Sequence, residues 1–257
     1  MKVVILAGGY GSRLGTITEL VPKPMVRVGN RPILWHIMKY YASFGYRDFV
    51  LSLGYKAEVI KEFFYTYHVQ VNDFTIQLGS RKMDFHGRHD EADWSVTMVD
   101  TGVKTLKGAR IKRLESFLDD VNLLTYGDGL ADVDLNALVK FHKAHGRLVT
   151  MTGVRPPARF GEIVAGDAGK VDAFQEKMQT SQGRINGGFM VFNKGLLEYL
   201  SDEEGSDLEF EAFPRLAADG QMMMFEHDGH WECVDTERDL NHLNKLWDDA
   251  LAFWKRW

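Results

Sequence analysis

A glycine-rich stretch near the start of the chain has the residue types of a phosphate-binding loop. It follows the apolar run Val3–Leu6 and contains Gly8, Gly9 and Gly11 before Arg13. Glycines lack a Cβ atom, so the backbone can adopt positive φ and its N–H groups can approach a phosphate closely. Arg13 adds a planar guanidinium that suits phosphate oxygens. These residues predict a site for a phosphorylated ligand, although a glycine turn without a ligand would have the same composition.

The spacing of this loop differs from two common nucleotide-binding motifs. It is not G-x-G-x-x-G, and no Gly-Lys-Ser/Thr triplet follows, so neither the dinucleotide fingerprint nor the P-loop is matched.

Further along the chain, Lys23 lies between Pro22 and Pro24. Because proline fixes its own φ and favours an extended preceding residue, we predict a stiff extended segment that aims the Lys23 ammonium at a second phosphate. A surface lysine in a turn is the alternative interpretation.

Residues 6–14 and the pair Lys23-Pro24 resemble the signature of the sugar-1-phosphate nucleotidyltransferases. That signature begins L-A-G-G-x-G-x-R-L and continues with a lysine-proline pair, and this chain matches it position for position. Within that family the chain is most similar to the glucose-1-phosphate cytidylyltransferases. The further matching stretches are PILWHIM at 32–38, TYGDG at 125–129, FHKAHG at 141–146 and INGGF at 185–189. The resemblance covers essentially the whole chain and is far more specific than a glycine motif alone.

The resemblance implies an activity and its partners. The implied reaction transfers a cytidylyl group from CTP to glucose 1-phosphate, giving CDP-glucose and pyrophosphate for the biosynthesis of deoxysugars and surface polysaccharide. Mg²⁺ is the implied cofactor, and CTP and a sugar 1-phosphate are the implied partners. A homo-oligomer in the cytoplasm is also implied. The implied fold is α/β, a Rossmann-like, mostly parallel mixed sheet flanked by helices, as in the nucleotide-diphospho-sugar transferases.

The resemblance also assigns site residues. The implied nucleotide-binding residues are Leu6, Ala7, Gly8, Gly9, Tyr10, Gly11, Ser12, Arg13, Lys23, Thr105, Arg110 and Gly127. The implied catalytic residues are Arg13, Lys23, Arg110 and Asp128, and the implied metal ligands are Asp128 and Asp235. The implied sugar-phosphate-binding residues are Glu176, Lys177, Asn186 and Gly188. Met178 stands where the family has proline, so Lys177 is expected to be less rigidly aimed.

Asp128 also suits metal binding on its own chemistry. It lies between Gly127 and Gly129, directly after a predicted strand at 121–125. Ligands of open α/β sheets bind outside the carboxyl ends of the strands, and Mg²⁺ is usually held by one or two carboxylates together with substrate phosphates. A turn aspartate that only forms local hydrogen bonds is the alternative. The implied reaction joins two anions, so positioning and electrostatic stabilisation should dominate its catalysis.

Other interpretations stay open at this point. The same chemistry could use another nucleotide or another phosphorylated acceptor, and a non-catalytic nucleotide-binding paralogue would also keep the glycine loop. His86, His89 and Asp90 could suggest a metal site, but a solvated loop or an oligomer contact is favoured for this polar segment. Trp94 and residues 63–65 could form core or interface. Five cations within ten residues usually indicate a solvated face, here Lys104, Lys107, Arg110, Lys112 and Arg113, but the resemblance implies that Arg110 among them reaches the triphosphate.

Composition limits the class of protein. A chain of 257 residues with 45% hydrophobic content can bury a full core as one α/β domain. The net charge of −5 offers no basic field for nucleic acid. The only cysteine, Cys233, excludes an intrachain disulfide and suits a reducing cytoplasm. The N-terminal apolar run is too short for a signal peptide, and no stretch of about 18 apolar residues predicts a membrane span.

Alternating elements predict a parallel sheet with crossover connections. The predicted strands are 3–6, 49–53, 74–78, 95–99, 121–125, 148–154, 189–192, 222–225 and 230–236, with a hairpin over 162–174. The predicted helices run from Arg31-Pro32 to Gly45 and over 56–67, 135–145 (capped by Asp134), 194–200, 208–218 (capped by Asp207) and 236–257. The three methionines at 222–224 are interpreted as core filler. We assign residues 1–154 mainly to the nucleotide, 155–235 mainly to the sugar phosphate, and 236–257 to a closing helix.

Overall fold

The computed structural model describes residues 1–156, 162–165, 170–175 and 183–257. Its strands are β1 (Val3–Leu6), β2 (Arg27–Val28), β3 (Arg31–Pro32), β4 (Asp48–Leu53), β5 (Asp73–Ile76), β6 (Met83–His86), β7 (Ser95–Asp100), β8 (Val121–Tyr126), β9 (Gly129–Ala131), β10 (Val149–Val154), β11 (Glu162–Ala165), β12 (Val171–Gln175), β13 (Ile185–Asn193), β14 (Met222–His227) and β15 (Trp231–Cys233). Its α-helices are α1 (Thr16–Leu20), α2 (Ile33–Ser43), α3 (Ala57–Tyr65), α4 (Tyr67–Val71), α5 (Lys107–Lys112), α6 (Leu135–His145), α7 (Phe213–Ala218) and α8 (Glu237–Asp248). Short 3₁₀ turns lie at Ser12–Leu14, Lys23–Met25, Glu115–Phe117 and Lys194–Tyr199, and a π-helical turn lies at Leu208–Ala212.

A seven-stranded sheet forms the centre of the described chain. Its strand order is β14-β10-β13-β8-β1-β4-β7. β13 runs antiparallel to both of its neighbours, and the other neighbouring pairs are parallel. Two-stranded ribbons formed by β2 and β3, β5 and β6, β9 and β15, and β11 and β12 lie outside it. The predicted α/β class with a mostly parallel mixed sheet is therefore confirmed.

Strand β1 shows why this sheet is buried on both faces. Successive side chains of a strand point to opposite faces, so Val3 and Ile5 face one side, and Val4 and Leu6 face the other. The first pair joins a core that includes α2, α3 and α8, and the second joins a core with α5 and α7. An uninterrupted apolar run is what a parallel strand covered on both sides requires.

Several local predictions are confirmed. Asp134 caps α6 by accepting hydrogen bonds from the N–H groups of Asn136 and Ala137. Gly45, with φ of 93°, stops α2 in the left-handed conformation that glycine adopts without a Cβ penalty. The predicted hairpin over 162–174 corresponds to the antiparallel pair β11 and β12.

Other boundaries were predicted wrongly. Arg31–Pro32 does not open α2 but forms β3, which pairs with β2, and the helix begins at Ile33. The helix predicted over 56–67 breaks at Thr66, whose hydroxyl donates to the carbonyl of Glu62 at 2.7 Å. The polar segment predicted as a loop contains β6, which pairs with β5. The helix predicted over 208–218, capped by Asp207 as expected, begins with a π-helical turn before α7.

The C-terminal segment also departs from its prediction. Helix α8 ends at Asp248 rather than continuing to the last residue. Ala250 has φ of 57°, and the N–H of Leu251 donates to Leu246 O at 2.8 Å, which is the hydrogen-bond pattern of a Schellman stop. As a result, Leu251 is exposed, whereas Trp254 is buried beyond the helix, where its Nε1 donates to His36 Nδ1.

Strand β14 lies at an edge of the sheet, which changes the environment of its methionines. Met223 and Met224 are 39% and 47% exposed, so the interpretation of the three methionines as core filler is wrong for these two. An edge strand has only one neighbouring strand, here β10.

No helix in the part of the chain described here is long and apolar enough to cross a membrane.

Candidate functional site

A cavity of about 600 Å³ opens at the carboxyl ends of β1 and β8. Every predicted nucleotide-binding residue lines it, and so do Asp128, Asp235 and Asn186. The structure therefore brings together residues from both ends of the chain. Glu176 and Lys177 lie outside the described residues, so their predicted contact with the sugar phosphate stays a prediction.

The glycine loop follows β1 and lines the cavity. Of its three glycines only Gly11 has a positive φ, 65°, where it precedes the 3₁₀ turn that carries Arg13. Gly8 is required for a different reason, because a Cβ atom there would lie 2.1 Å from Arg110 Nη1. Around Gly9 a Cβ would meet no heavy atom within 4 Å. Each glycine therefore has a different structural role. Gly11 allows the turn, Gly8 allows the close approach of Arg110, and Gly9 leaves an open face.

Arg110 supports this loop from below. Its side chain is only 4% exposed, in contrast to the solvated face predicted for the surrounding cations. Its Nη2 donates to Gly8 O at 3.0 Å, and its Nη1 donates to Leu53 O at 2.9 Å and Thr101 Oγ1 at 2.8 Å. Burial lowers the pKa of Arg110 from its ordinary value. These bonds tie the loop to the end of β4, and direct contact of Arg110 with a triphosphate stays a prediction.

Lys23 connects the two predicted metal ligands. Its Nζ lies 2.6 Å from Asp128 Oδ2 and 2.7 Å from Asp235 Oδ1. Pro22 is extended as predicted, but Lys23 itself begins a 3₁₀ turn, so the prediction of a wholly extended segment is wrong. Since an ammonium has three N–H donors, two are used here and one remains for a phosphate oxygen.

The ribbon of β9 and β15 places the two carboxylates side by side. Cys233 pairs with Gly129, and the N–H of Val234 donates to Asp128 O at 3.0 Å. Asp235 follows directly, just ahead of the capping box that begins α8. The N-terminus of a helix favours a negative charge, so its dipole adds to the stabilisation of the Asp235 carboxylate.

The charges at this point are strongly interdependent. Burial by itself would raise the pKa of Asp235, but the hydrogen bond and charge of Lys23, followed by those of Arg13, hold it below its ordinary value. Arg13 Nη1 lies 2.6 Å from Asp235 Oδ2. Burial would lower the pKa of Lys23, but Asp128 and then Asp235 raise it above its ordinary value. The Lys23 ammonium and the Asp235 carboxylate therefore remain ionised near neutral pH.

The donor set fits a hard divalent cation that is also bound by substrate. One carboxylate oxygen of Asp128 and one of Asp235 both contact Lys23 Nζ, so the two carboxylates face each other around the same position. No group of three or more His, Cys, Asp or Glu side chains suited to a metal occurs in the described part of the chain. Mg²⁺ is typically held by one or two carboxylates with water and substrate phosphates, so two carboxylates suffice for it.

The segment around Asn186 contributes another part of the cavity wall. Asn186 Nδ2 donates to Tyr126 Oη at 3.0 Å, and the N–H of Gly188 donates to Asn186 Oδ1 at 2.9 Å. Gly188, with φ of 78°, lies against the Tyr126 ring, where a Cβ would come within 2.5 Å of Cδ2. Of the two described sugar-site predictions, Asn186 lines the cavity and Gly188 packs behind it.

Several further cavity residues were missed from the sequence, among them Tyr126, Lys107, Glu209 and Trp231. Tyr126 directly precedes Gly127-Asp128, and that adjacency could have indicated it. Lys107 belongs to the cationic run interpreted as a solvated face. Glu209 and Trp231 carry no local signal, because only the tertiary fold brings them to the cavity.

Two histidines of the polar segment at 81–90 make local polar contacts. His86 lies on β6 and its Nε2 is 2.8 Å from Thr75 Oγ1 on β5. His89 Nδ1 lies 3.5 Å from Glu91 Oε2.

The aromatic residues at 63–65 were expected to form either core or interface. Phe63 is buried and Tyr65 is exposed, so this group divides between core and surface.

Comparison with known proteins finds one matching family and full-length relatives with related names. The family described as "Nucleotidyl transferase" matches residues 2–249. The glucose-1-phosphate cytidylyltransferase of Salmonella typhi is 45% identical over 259 residues, covering 100% of both chains. A probable glucose-1-phosphate cytidylyltransferase of Bacillus subtilis (strain 168) is 39% identical over 258 residues, again covering 100% of both.

Solved structures share the fold at lower identity. HddC from Yersinia pseudotuberculosis is 21% identical with a TM-score of 0.69, covering 96% of this chain and 99% of its own. A putative glucose-1-phosphate thymidylyltransferase from Bacillus anthracis is 20% identical with a TM-score of 0.70, covering 100% of this chain and 97% of its own. At these identities the likeness concerns the fold alone.

Proposed function

The chain belongs to the nucleotidyl transferase family, and from that premise we propose that it transfers the cytidylyl group of CTP to glucose 1-phosphate, forming CDP-glucose and pyrophosphate. The observation that carries this proposal is the single cavity that joins the glycine loop, Lys23 and the carboxylates of Asp128 and Asp235. Two full-length relatives, a glucose-1-phosphate cytidylyltransferase at 45% identity and a probable one at 39% identity, support the choice of substrates.

The glycine loop, Arg13 and Lys23 would bind the triphosphate. Loop N–H groups and the open face at Gly9 suit close approach of phosphate oxygens, and Arg13 is 74% exposed at the cavity edge. Lys23 keeps one N–H for a phosphate oxygen while it holds the two carboxylates. Thr105 and Gly127 would complete the nucleotide side of the cavity.

Asn186, together with Glu176 and Lys177, would bind the sugar phosphate. Asn186 lines the same cavity as the glycine loop but comes from a different strand, which supports a separate subsite for the second substrate. Lys177 would hold the attacking phosphate, and Glu176 would contact sugar hydroxyls. This division supports the assignment of residues 1–154 mainly to the nucleotide and of residues 155–235 mainly to the sugar phosphate.

In the proposed reaction an oxygen of glucose 1-phosphate attacks the α-phosphorus of CTP in line with the departing pyrophosphate. No covalent bond to the protein is required, so the residues act by alignment and by charge stabilisation. Mg²⁺, which Asp128 and Asp235 would hold, would neutralise phosphate charge in this site. Arg13 and Lys23 would offset the charge that develops on the leaving pyrophosphate.

The proposal is tested by pyrophosphate release from a panel of four nucleoside triphosphates against several sugar 1-phosphates, with and without Mg²⁺. We expect the highest kcat/KM for CTP with glucose 1-phosphate, and loss of activity with excess chelator that added Mg²⁺ restores. A preference for another base or acceptor would replace the substrates but keep the reaction class. Nucleotide binding without pyrophosphate release for any pair would favour a non-catalytic paralogue. Gel filtration would test the expected homo-oligomer, and cell fractionation the expected cytoplasmic location.

A further inference from the structure

A chain of hydrogen bonds runs behind the proposed sugar subsite and connects residues from four separate segments. Asn186 Nδ2 lies 3.0 Å from Tyr126 Oη, and Tyr126 Oη lies 2.7 Å from Glu209 Oε1. Lys107 Nζ lies 2.5 Å from the same Glu209 oxygen and 4.9 Å from the centre of the Tyr126 ring. All four side chains line the cavity.

The direction of every hydrogen bond in this chain is determined by its two ends. At one end the backbone N–H of Gly188 can only donate, so the Asn186 atom 2.9 Å away must be the amide oxygen. The amide nitrogen of Asn186 then faces Tyr126 and donates to its hydroxyl oxygen. At the other end the Glu209 carboxylate can only accept, so Tyr126 donates its proton to Glu209.

Tyr126 Oη has a defined partner on each side, since it accepts from Asn186 Nδ2 and donates to Glu209 Oε1. Lys107 in turn balances the charge of Glu209. Because each partner is fixed, the amide of Asn186 has no alternative orientation that satisfies both Gly188 and Tyr126.

The hydrogen-bond inventory of Asn186 shows what remains for a ligand. Its amide nitrogen has two N–H donors, of which Tyr126 accepts one, and its oxygen has two lone pairs, of which Gly188 uses one. One donor and one acceptor are left on the same planar group. Such a pair matches two neighbouring hydroxyl groups of a pyranose, one accepting and one donating.

We propose that Tyr126 and Glu209 are positioning residues that lock the Asn186 amide in one orientation, so that its remaining donor and acceptor select a vicinal hydroxyl pair of the sugar 1-phosphate. This inference rests on the proposed function, since it concerns the specificity of that same site. Trp231 supports the same segment, because its Nε1 donates to Gly187 O at 2.7 Å.

Tyr126→Phe is the direct test, because it removes the hydroxyl and keeps the ring that packs on Gly188. We expect the KM for glucose 1-phosphate to rise about three- to tenfold, as for loss of one ordinary hydrogen bond, with the KM for CTP changed by less than about twofold. Tyr199→Phe is the matched control, since it also removes a tyrosine hydroxyl that donates to a carboxylate, Asp219 Oδ2 at 2.8 Å, away from the cavity. Neither KM should change in that control.

Monodeoxy analogues of glucose 1-phosphate provide a readout that a purely structural role would not move. In the wild type, the analogues that lack a hydroxyl bound by Asn186 should have a raised KM. In Tyr126→Phe the same analogues should lose much of that penalty, because the amide is no longer oriented. Glu209→Gln keeps an acceptor for Tyr126 and should have a smaller effect than Glu209→Ala, and this pair gives a second test if Tyr126→Phe unfolds.

Failure of the two proposals gives different results. A wild type that releases no pyrophosphate from any substrate pair overturns the proposed function and this inference with it. An active wild type whose analogue penalties are the same in Tyr126→Phe overturns the inference alone. The same conclusion follows if Glu209→Gln and Glu209→Ala are equally impaired for both substrates.

Discussion

The guanidinium of Arg110 donates a 3.0 Å hydrogen bond to the carbonyl oxygen of Gly8. The glycine loop therefore lies directly on a buried cation, and the space between them is too small for a Cβ atom at Gly8. Because Nη1 of the same group also bonds Leu53 and Thr101, the guanidinium cannot move aside without breaking buried hydrogen bonds. The shape of the loop is thus set by a residue about a hundred positions away in sequence.

Gly8→Ala and Gly9→Ala should therefore have different effects. A methyl group at Gly8 would press on Arg110 and on the backbone of Leu53, and overpacking of this kind costs about 1–3 kcal/mol. A methyl group at Gly9 points into open space and should leave the free energy of unfolding nearly unchanged, although it narrows the approach to a phosphate. Urea unfolding measures the first effect and CTP calorimetry the second. Equal losses of stability in both variants would contradict this account.

Asp128→Asn and Asp235→Asn should each lower kcat by two or more orders of magnitude while the fold survives. Each change removes a negative charge that the proposed metal site needs and weakens the contact with Lys23. Asp73→Asn, on the exposed strand β5, serves as the control for an aspartate outside the cavity. Steady-state rates are measured across a range of Mg²⁺ concentrations, with circular dichroism for the fold. Near-wild-type turnover at limiting Mg²⁺ would remove that residue from the role.

Structural features that depend on neighbouring residues could be predicted from the sequence. The apolar run of β1, the glycine loop after it and the cap at Asp134 each depend on neighbouring residues, so the pattern predicts them. The stop of α8 is also local, but it places Ala250 in a conformation that usually requires glycine, so no signal marks it.

Tertiary relationships explain the remaining differences. Met223 and Met224 are exposed because β14 has a neighbour on one side only, which a run of apolar residues cannot reveal. Arg110 and Glu209 acquire their functions from contacts with Gly8 and Tyr126, far away in sequence. A charged residue in a polar run is indistinguishable from a solvated one until the fold places it.

The pKa of Asp235 predicts how stability depends on pH. The folded pKa lies below the ordinary value of 3.8, so the contribution of this carboxylate is complete above that value and is lost as pH falls through the folded pKa. The difference in unfolding free energy between wild type and Asp235→Asn should therefore shrink as pH falls from about 5 to about 2. Urea unfolding in the presence of a chelator measures it without a bound cation. A difference that stays constant or grows on acidification would contradict the assignment.

Lys23 and Lys177 present the final distinction, because both are cations proposed to bind phosphate. Lys23 follows the glycine loop and is fixed between Asp128 and Asp235, whereas Lys177 belongs to the later half of the chain, outside the described residues. If the first binds the triphosphate and the second binds the attacking phosphate, the two alanine variants should differ in which substrate they use poorly.

Lys23→Ala should mainly lower kcat/KM for CTP, because the triphosphate and its developing charge lose a cation. Lys177→Ala should mainly raise the KM for glucose 1-phosphate and lower kcat, because the attacking phosphate would be poorly aligned. A lost charge-assisted hydrogen bond is worth about 1.5–3 kcal/mol, so each defect should be at least about tenfold. Lys177→Arg should not restore full activity, since a planar fork replaces a compact ammonium. Two-substrate kinetics of wild type and these variants measure the effects, with Lys61→Ala on exposed helix surface as the control. If Lys177→Ala changes only the CTP parameters, or neither set, the later half of the chain does not bind the sugar phosphate.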